Sequence, residues 1–318
     1  MNNFIKSFRS ITNLIVASII PLLIWGPFFP DLIISISTLF FIYKILKNKN
    51  FGYLNIKPLK IFFIFCIYCV LLSIFVSKNI MLSFESSLFY FRIGVFSCFI
   101  WYLIDKNKDI LIYFYFMLVF CFSALVIDGY FQYFTGVNLF GIKISGIRVS
   151  SFFGDELIMG SYLSRLFPLL FALFLIKKKH KFEKYFIGIL FILVDVLIYM
   201  SGERTSFLFL NISTIFIILL IKEYQKFRIF TFLFAMILIV ILSLKSPVLS
   251  YRMFKNPAEN MGIIKGSNES KTKIFSANHD SVIRTAFNMF KDKPIFGHGP
   301  KMFREKCKNE KYSFGKTP

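Results

Sequence analysis

With 56% hydrophobic and 19% aromatic residues in 318, and only 17% charged, the chain is too apolar for a soluble globular domain or a disordered segment. Its formal net charge of +21 invites a nucleic-acid partner. The lysines and arginines are scattered between apolar runs rather than gathered on one face, which excludes that partner. What remains is an all-α polytopic membrane protein, since lipid offers backbone amides no partners and each span of about 20 apolar residues must satisfy its own.

In chain order, apolar runs predict spans near residues 11–28, 31–46, 61–77, 86–104, 110–128, 157–176, 185–201, 205–221 and 229–245. The first two, joined by the WGPFFPD turn at Pro27, either cross separately or form a re-entrant pair, and the later orientation is the same either way. The first run is followed too promptly by a second to be a cleaved signal peptide. Residues 1–244 therefore form a transmembrane bundle, and residues 245–318 form a partly helical extracytoplasmic loop.

Lys6 and Arg9 precede the first span, and Lys44, Lys47, Lys49, Lys57 and Lys60 follow the second. Lys106 and Lys108 follow the fourth, and Lys177, Lys178, Lys179, Lys181 and Lys184 the sixth. Lys222, Lys226 and Arg228 follow the eighth. Basic residues thus fill alternate loops, and the positive-inside rule puts the N-terminus and these loops in the cytoplasm. The polar breaks at 135–156 and 203, and the long tail, then lie outside.

Cys66, Cys69, Cys98 and Cys121 fall inside predicted spans, where cysteine acts as a small apolar residue. The Cys66-x-x-Cys69 pair has no second ligand pair and implies packing rather than a metal. Cys307 lies in the outer tail with no visible partner, so it is either free or paired outside this chain.

Ionisable residues within spans are functional candidates unless they are paired. Arg92 either pairs with Glu85 or a carbonyl, or contacts an anionic substrate. Asp195, mid-span, is either neutral or hydrogen-bonded to a neighbouring helix. Asp128 opens DGYFQYFTG, whose Tyr130, Tyr133 and Phe134 form an interfacial aromatic belt before a Gly136 turn. The alternative role for its carboxylate is to orient Arg148 across the loop.

The chain is organised around GIRVSSFFGDELIMGSYLSRLFP, residues 146–168, a polar break carrying Arg148, Asp155 and Glu156. A second break, Ser201-Gly202-Glu203-Arg204-Thr205-Ser206, sets Arg204 at a similar boundary. Two outer arginines flanked by hydroxyls suit a pyrophosphate, because a guanidinium forks onto phosphate oxygens and stays charged. Serine and threonine hydroxyls, and amides opening the next helix, would add donors.

These breaks, followed by FNMFKDKPIFGHGPKMFR with its Gly297-His298-Gly299-Pro300 turn, resemble the bacterial O-antigen ligase and polymerase family, best from Asp128 onward. The resemblance implies a GT-C-like glycosyltransferase on the outer face of the bacterial inner membrane, with no metal or other cofactor. Its donor would be a glycan on undecaprenyl pyrophosphate, and its acceptor lipid A-core (ligase) or another lipid-linked repeat unit (polymerase). The family's two pyrophosphate-facing arginines fall on Arg148 and Arg204, the expected catalytic and substrate-binding pair, with Arg92 as a third substrate contact. The second turn reads Gly-Glu-Arg-Thr where the family has a Ser-Arg-Gly-like sequence.

The family's histidine base lies in an H-N segment that has no counterpart here, so a fragment of a longer protein is expected. His180 is cytoplasmic by the topology, His298 sits in a glycine turn, and His279 lies near a helix cap; none is assigned as the base. A helix is predicted over roughly 280–291, with Ile283, Ala286, Phe287 and Phe290 on one face lying on the membrane surface or capping the bundle. Pro294 ends it. A transporter or flippase for lipid-linked saccharide shares the hydropathy, but no internal repeat is found and the polar breaks lie at the surface. A fragment that binds the donor without transferring it is the third alternative.

Overall fold

The computed structural model describes residues 2–177, 181–260 and 277–314. Lys178, Lys179 and His180, and the last four residues of the tail, lie outside these. The described chain is all-α. Among its residues there are no strands, only isolated bridges pairing Val137 with Lys143 and Ser145 with Arg148.

The helices are α1 (Asn2–Ala17), α2 (Ile19–Trp25), α3 (Phe28–Asn48), α4 (Lys57–Phe75), α5 (Ile80–Ser87), α6 (Phe91–Lys106) and α7 (Asp109–Thr135). They continue as α8 (Met159–Ile176), α9 (Lys181–Met200), α10 (Arg204–Leu220), α11 (Gln225–Lys245), α12 (Pro247–Ser250), α13 (Asn256–Asn260), α14 (Ala277–Asp292) and α15 (Met302–Lys306). Among the described residues six helical stretches are long and apolar enough to cross a bilayer, one of them Ile80–Lys106, which takes in α5 and α6 together. The predicted run 86–104 is broken between α5 and α6. The run 110–128 continues to Thr135, so the aromatic belt forms the last two turns of α7. Gly136, left-handed at φ 82°, caps that helix, with its N–H donating to the Gln132 carbonyl.

The chain forms two compact units. The first comprises Met1–Pro30 and Asn107–Asn256. Its centre is α9, which packs on α7, α8, α10 and α11 and buries eleven of the fourteen residues from Ile187 to Met200. An apolar core of this kind tolerates a charge only if the charge is answered. Asp195 on α9 meets Arg228 on α11, Nη2 to Oδ1 at 3.2 Å and Nη1 to Oδ2 at 2.9 Å, the second contact lying off the hydrogen-bonding direction. Arg228 Nη2 also donates to Thr214 Oγ1 on α10 at 2.6 Å, and the guanidinium lies 4.5 Å from the Phe167 ring centroid. Asp195 is thus bonded to a neighbouring helix. Arg228, expected in a basic loop with Lys222 and Lys226, is instead fully buried.

The second unit comprises Asp31–Lys106 and Pro257–Pro318. In it the Gly297–Pro300 turn straps onto the α4–α5 connection. Ser83 Oγ donates to the Pro300 carbonyl at 2.7 Å, and Lys301 pairs with Glu85 at 3.1 Å. Gly299, at φ 93°, sits so close to Ser77 that an added Cβ would lie 3.2 Å from its Cα. Arg92 pairs with Asp31 at 2.6 Å rather than with Glu85, and donates to Ser35 Oγ at 2.9 Å.

In α14 the apolar face read from the pattern is turned outward, and a polar face packs inward. Its buried face is Ser281, Thr285 and Met289, while Ile283, Phe287 and Phe290 are exposed. Hydrogen bonds explain the choice. The Thr285 hydroxyl accepts the Phe314 N–H, Asn288 Nδ2 donates to the Tyr312 carbonyl, and the Met289 carbonyl lies 3.2 Å from His298 Nε2. His298 is a buried residue of this small core, with Lys306 Nζ 2.8 Å from Nδ1. Cys307 is also buried, its thiol directed at the Arg304 carbonyl.

Two outcomes are expected. Arg228→Met alone strands a buried carboxylate and should cost about 3–5 kcal/mol, whereas the Asp195→Leu/Arg228→Met double variant should recover most of it; thermal unfolding in detergent reads both. Burial, and then the Lys306 charge, hold His298 below the usual imidazole value, so the unfolded chain takes up its proton first as pH falls. The stability His298 contributes is present above about pH 6.5 and is lost as pH drops through the folded value. Protection of residues 302–312 from hydrogen exchange, taken relative to the intrinsic rate at each pH, should fall between pH 7.5 and 5.5, and His298→Gln should flatten that change. Asp292, which hydrogen bonds from Lys311 and Tyr312 hold below its usual value, acts only in a more acidic window.

Candidate anion site at the arginine cluster

The site is built in the first unit by the last turns of α7. Asp128, fully buried, accepts the Leu139 N–H on Oδ1 at 2.8 Å and the Ser151 hydroxyl on Oδ2 at 2.6 Å. Gln132 Oε1 accepts the N–H groups of Ser150 and Ser151, and its Nε2 donates to the Ile142 carbonyl. Asp128 therefore pins the loop that carries Arg148, rather than Arg148 itself. Ser151 is held at φ 51°, a left-handed conformation that costs a non-glycine residue free energy and persists only where its surroundings over-determine it. Three side-chain bonds do so here.

Arg148 leaves this loop half-buried. Its Nε donates to the Ser201 carbonyl at 3.0 Å and its Nη2 to the Leu157 carbonyl at 3.1 Å. Arg204, the first residue of α10, donates from Nε to the Arg252 carbonyl and from Nη2 to Asn256 Oδ1, each at 2.9 Å. Arg252 lies in a π-helical turn, Tyr251–Lys255, an element frequent at functional sites, and its Nε donates to the Gly202 carbonyl at 3.2 Å. Three half-buried guanidiniums thus surround one turn, Ser201–Arg204.

Gly202, at φ 66°, makes that approach possible. A Cβ there would lie 3.1 Å from both Arg148 Cγ and Arg252 Nε. Sequence reasoning brought Arg148 and Arg204 to one site and missed Arg252. Its signal was the same as theirs, an arginine just past the end of an apolar run, but it stood in a tail crowded with other basic residues. Arg92 belongs to the other unit, where Asp31 and Ser35 hold it.

The carboxylate of the cluster, Glu203, faces α8. It accepts the amides of Gly160 at 2.7 Å and Ser161 at 3.0 Å, and the Ser206 hydroxyl at 2.8 Å. Amides and hydroxyls expected to serve an anion are therefore already engaged: those of Gly160, Ser161 and Ser206 by Glu203, and the Ser151 hydroxyl by Asp128. Gly160 is required for this cap, since a Cβ would lie 2.4 Å from Ser201 Oγ. Among the described residues no carboxylate lies within ion-pair distance of Arg148, Arg204 or Arg252. Burial and then Arg252 push Arg148 below the usual guanidinium value, with Glu203 acting in the opposite direction. A multivalent anion would relieve this crowding of positive charge.

Gly202→Ala should cost the left-handed strain of about 1–2 kcal/mol plus the displacement of two arginines. Gly141, at φ 81° with open space around it, supplies the control. Gly141→Ala should lower the unfolding temperature less than Gly202→Ala.

No curated protein and no solved structure matches the chain. A family model described as O-antigen ligase matches residues 187–317, a stretch that takes in Arg204 and Arg252 and begins within α9. Over residues 187–317 the chain is thus similar to the O-antigen ligase family.

Proposed function

We propose that this multi-pass membrane protein is a glycosyltransferase that moves a glycan from undecaprenyl pyrophosphate to lipid A-core or to another lipid-linked repeat unit. The observation that carries the reading is the trio Arg148, Arg204 and Arg252 around the Gly202 turn, three permanent cations held by neutral oxygens. In this reading the N-terminus is cytoplasmic and the trio faces the outer side of the bacterial inner membrane, where the lipid-linked donor presents its diphosphate.

The acceptor hydroxyl attacks the anomeric carbon with inversion. A new carbon–oxygen bond forms as the bond to the phosphate oxygen breaks, and the pyrophosphate leaves with the electron pair. The guanidiniums bind that diphosphate before reaction and gain in value as its charge grows; a preorganised donor of this kind contributes about 3 kcal/mol. The hydroxyl's proton passes to a base, a part that guanidiniums cannot take because they stay protonated. Arg92, whose guanidinium meets Asp31, has no part in this scheme.

The test is transfer from a lipid-linked glycan in proteoliposomes containing the whole natural protein. Arg148→Lys, Arg204→Lys and Arg252→Lys should each lower the rate by about 10²-fold or more, since a point charge lacks the fork. Undiminished transfer in all three removes the proposal. Passage of labelled lipid across the vesicle without a new glycosidic bond supports a flippase instead.

A further inference from the structure

The exposed face of α14 has no counterpart in the glycan-transfer scheme. Ile283, Phe287 and Phe290 point outward, and the apolar surface continues beyond the helix into Ile295 and Phe296, exposed by 78% and 59%. Phe287 and Phe290 stack at 6.2 Å, and Lys291 Nζ lies 4.8 Å from the Phe287 centroid at the edge of this surface. Lys291 and Lys293, both exposed, make its rim cationic, while Arg284 pairs with Asp280 at 2.8 Å. A run of bulky apolar side chains bordered by lysine is the form taken by helices that lie in the headgroup layer.

Within the same unit, the tip of this segment is fixed near the end of a membrane span. A cavity of about 360 Å³ is lined by Phe75 and Val76 at the end of α4 and by residues 293–297. The 19 residues of α4 extend about 28 Å at 1.5 Å per residue, close to the hydrocarbon thickness of a bilayer. Phe75 at its end, 80% exposed, therefore stands at the leaflet surface. The Ser83 and Lys301 contacts hold the Gly297–Pro300 turn at the same level. The outward face of α14 is thus continuous with a surface that lipid already covers.

We infer that α14 and the Ile295-Phe296 tip dock on the bilayer surface, with Ile283, Phe287 and Phe290 among the upper acyl chains and Lys291 and Lys293 on anionic phospholipid headgroups. The docking tethers the polar loop beside the span, whatever reaction the arginine cluster serves.

The test places an environment-sensitive fluorophore at Phe290→Cys or, as a control, at exposed Lys308→Cys. The native cysteines are buried, so the introduced thiol dominates labelling. Full-chain protein is placed in vesicles of phosphatidylcholine and phosphatidylglycerol carrying either a lipid with a shallow nitroxide or aqueous iodide. At position 290 the lipid quencher should act several-fold more strongly than at 308, iodide should act less, and omission of phosphatidylglycerol should weaken the lipid quenching. Equal iodide quenching at both positions overturns the inference. So does shielding of 290 from both quenchers, which marks a protein partner on that face. Lipid quenching indifferent to phosphatidylglycerol removes the anionic headgroups from it.

Discussion

A guanidinium close to hydrocarbon must be answered by something, and what answers it decides what it can do. A carboxylate cancels the charge; a carbonyl orients the group and leaves the charge standing. Arg228 has the first kind of partner, Asp195, in a fully buried pair that locks α9 to α11. Arg92 has it too, in Asp31. Arg148, Arg204 and Arg252 have the second kind, carbonyls and an amide oxygen. Within the first unit this contrast separates a cation that holds the bundle together from cations that remain available to a ligand.

Much of the fold was legible, because apolar runs bounded by polar breaks have few alternatives in lipid. The helices α4, α8, α10 and α11 fall close to the expected runs, and Gly136 ends α7 as expected. What escaped was tertiary. Arg228 stood with Lys222 and Lys226 and looked like one more loop cation, yet the carboxylate of Asp195 and the Phe167 ring gave it a place inside. The apolar face of α14 follows from its spacing, but spacing cannot foresee that Thr285, Asn288 and the Met289 carbonyl on its other side are claimed by residues up to 29 positions away.

The candidate site was half legible for a related reason. Arg148 and Arg204 announced themselves as cations in polar breaks, whereas their meeting depends on Gly202, whose missing side chain leaves room for Arg148 and Arg252. Asp128, expected to orient Arg148, does not touch it and instead pins the loop that carries it, through Leu139 and Ser151.

Glu203 shows why three like charges can stay together. Set directly against an arginine, its carboxylate would neutralise the site and compete with an anionic ligand. By accepting the Gly160 and Ser161 amides at the start of α8, where the helix dipole favours negative charge, it is held one step back. From there it eases the repulsion on Arg148 without occupying the guanidinium's fork. The Ser206 hydroxyl fixes the same carboxylate from α10, so one acid joins the start of α8 to the turn that carries Arg204. A ligand with two phosphates would then meet cations already positioned, and the increase of charge on a departing diphosphate would require no reorganisation of the protein.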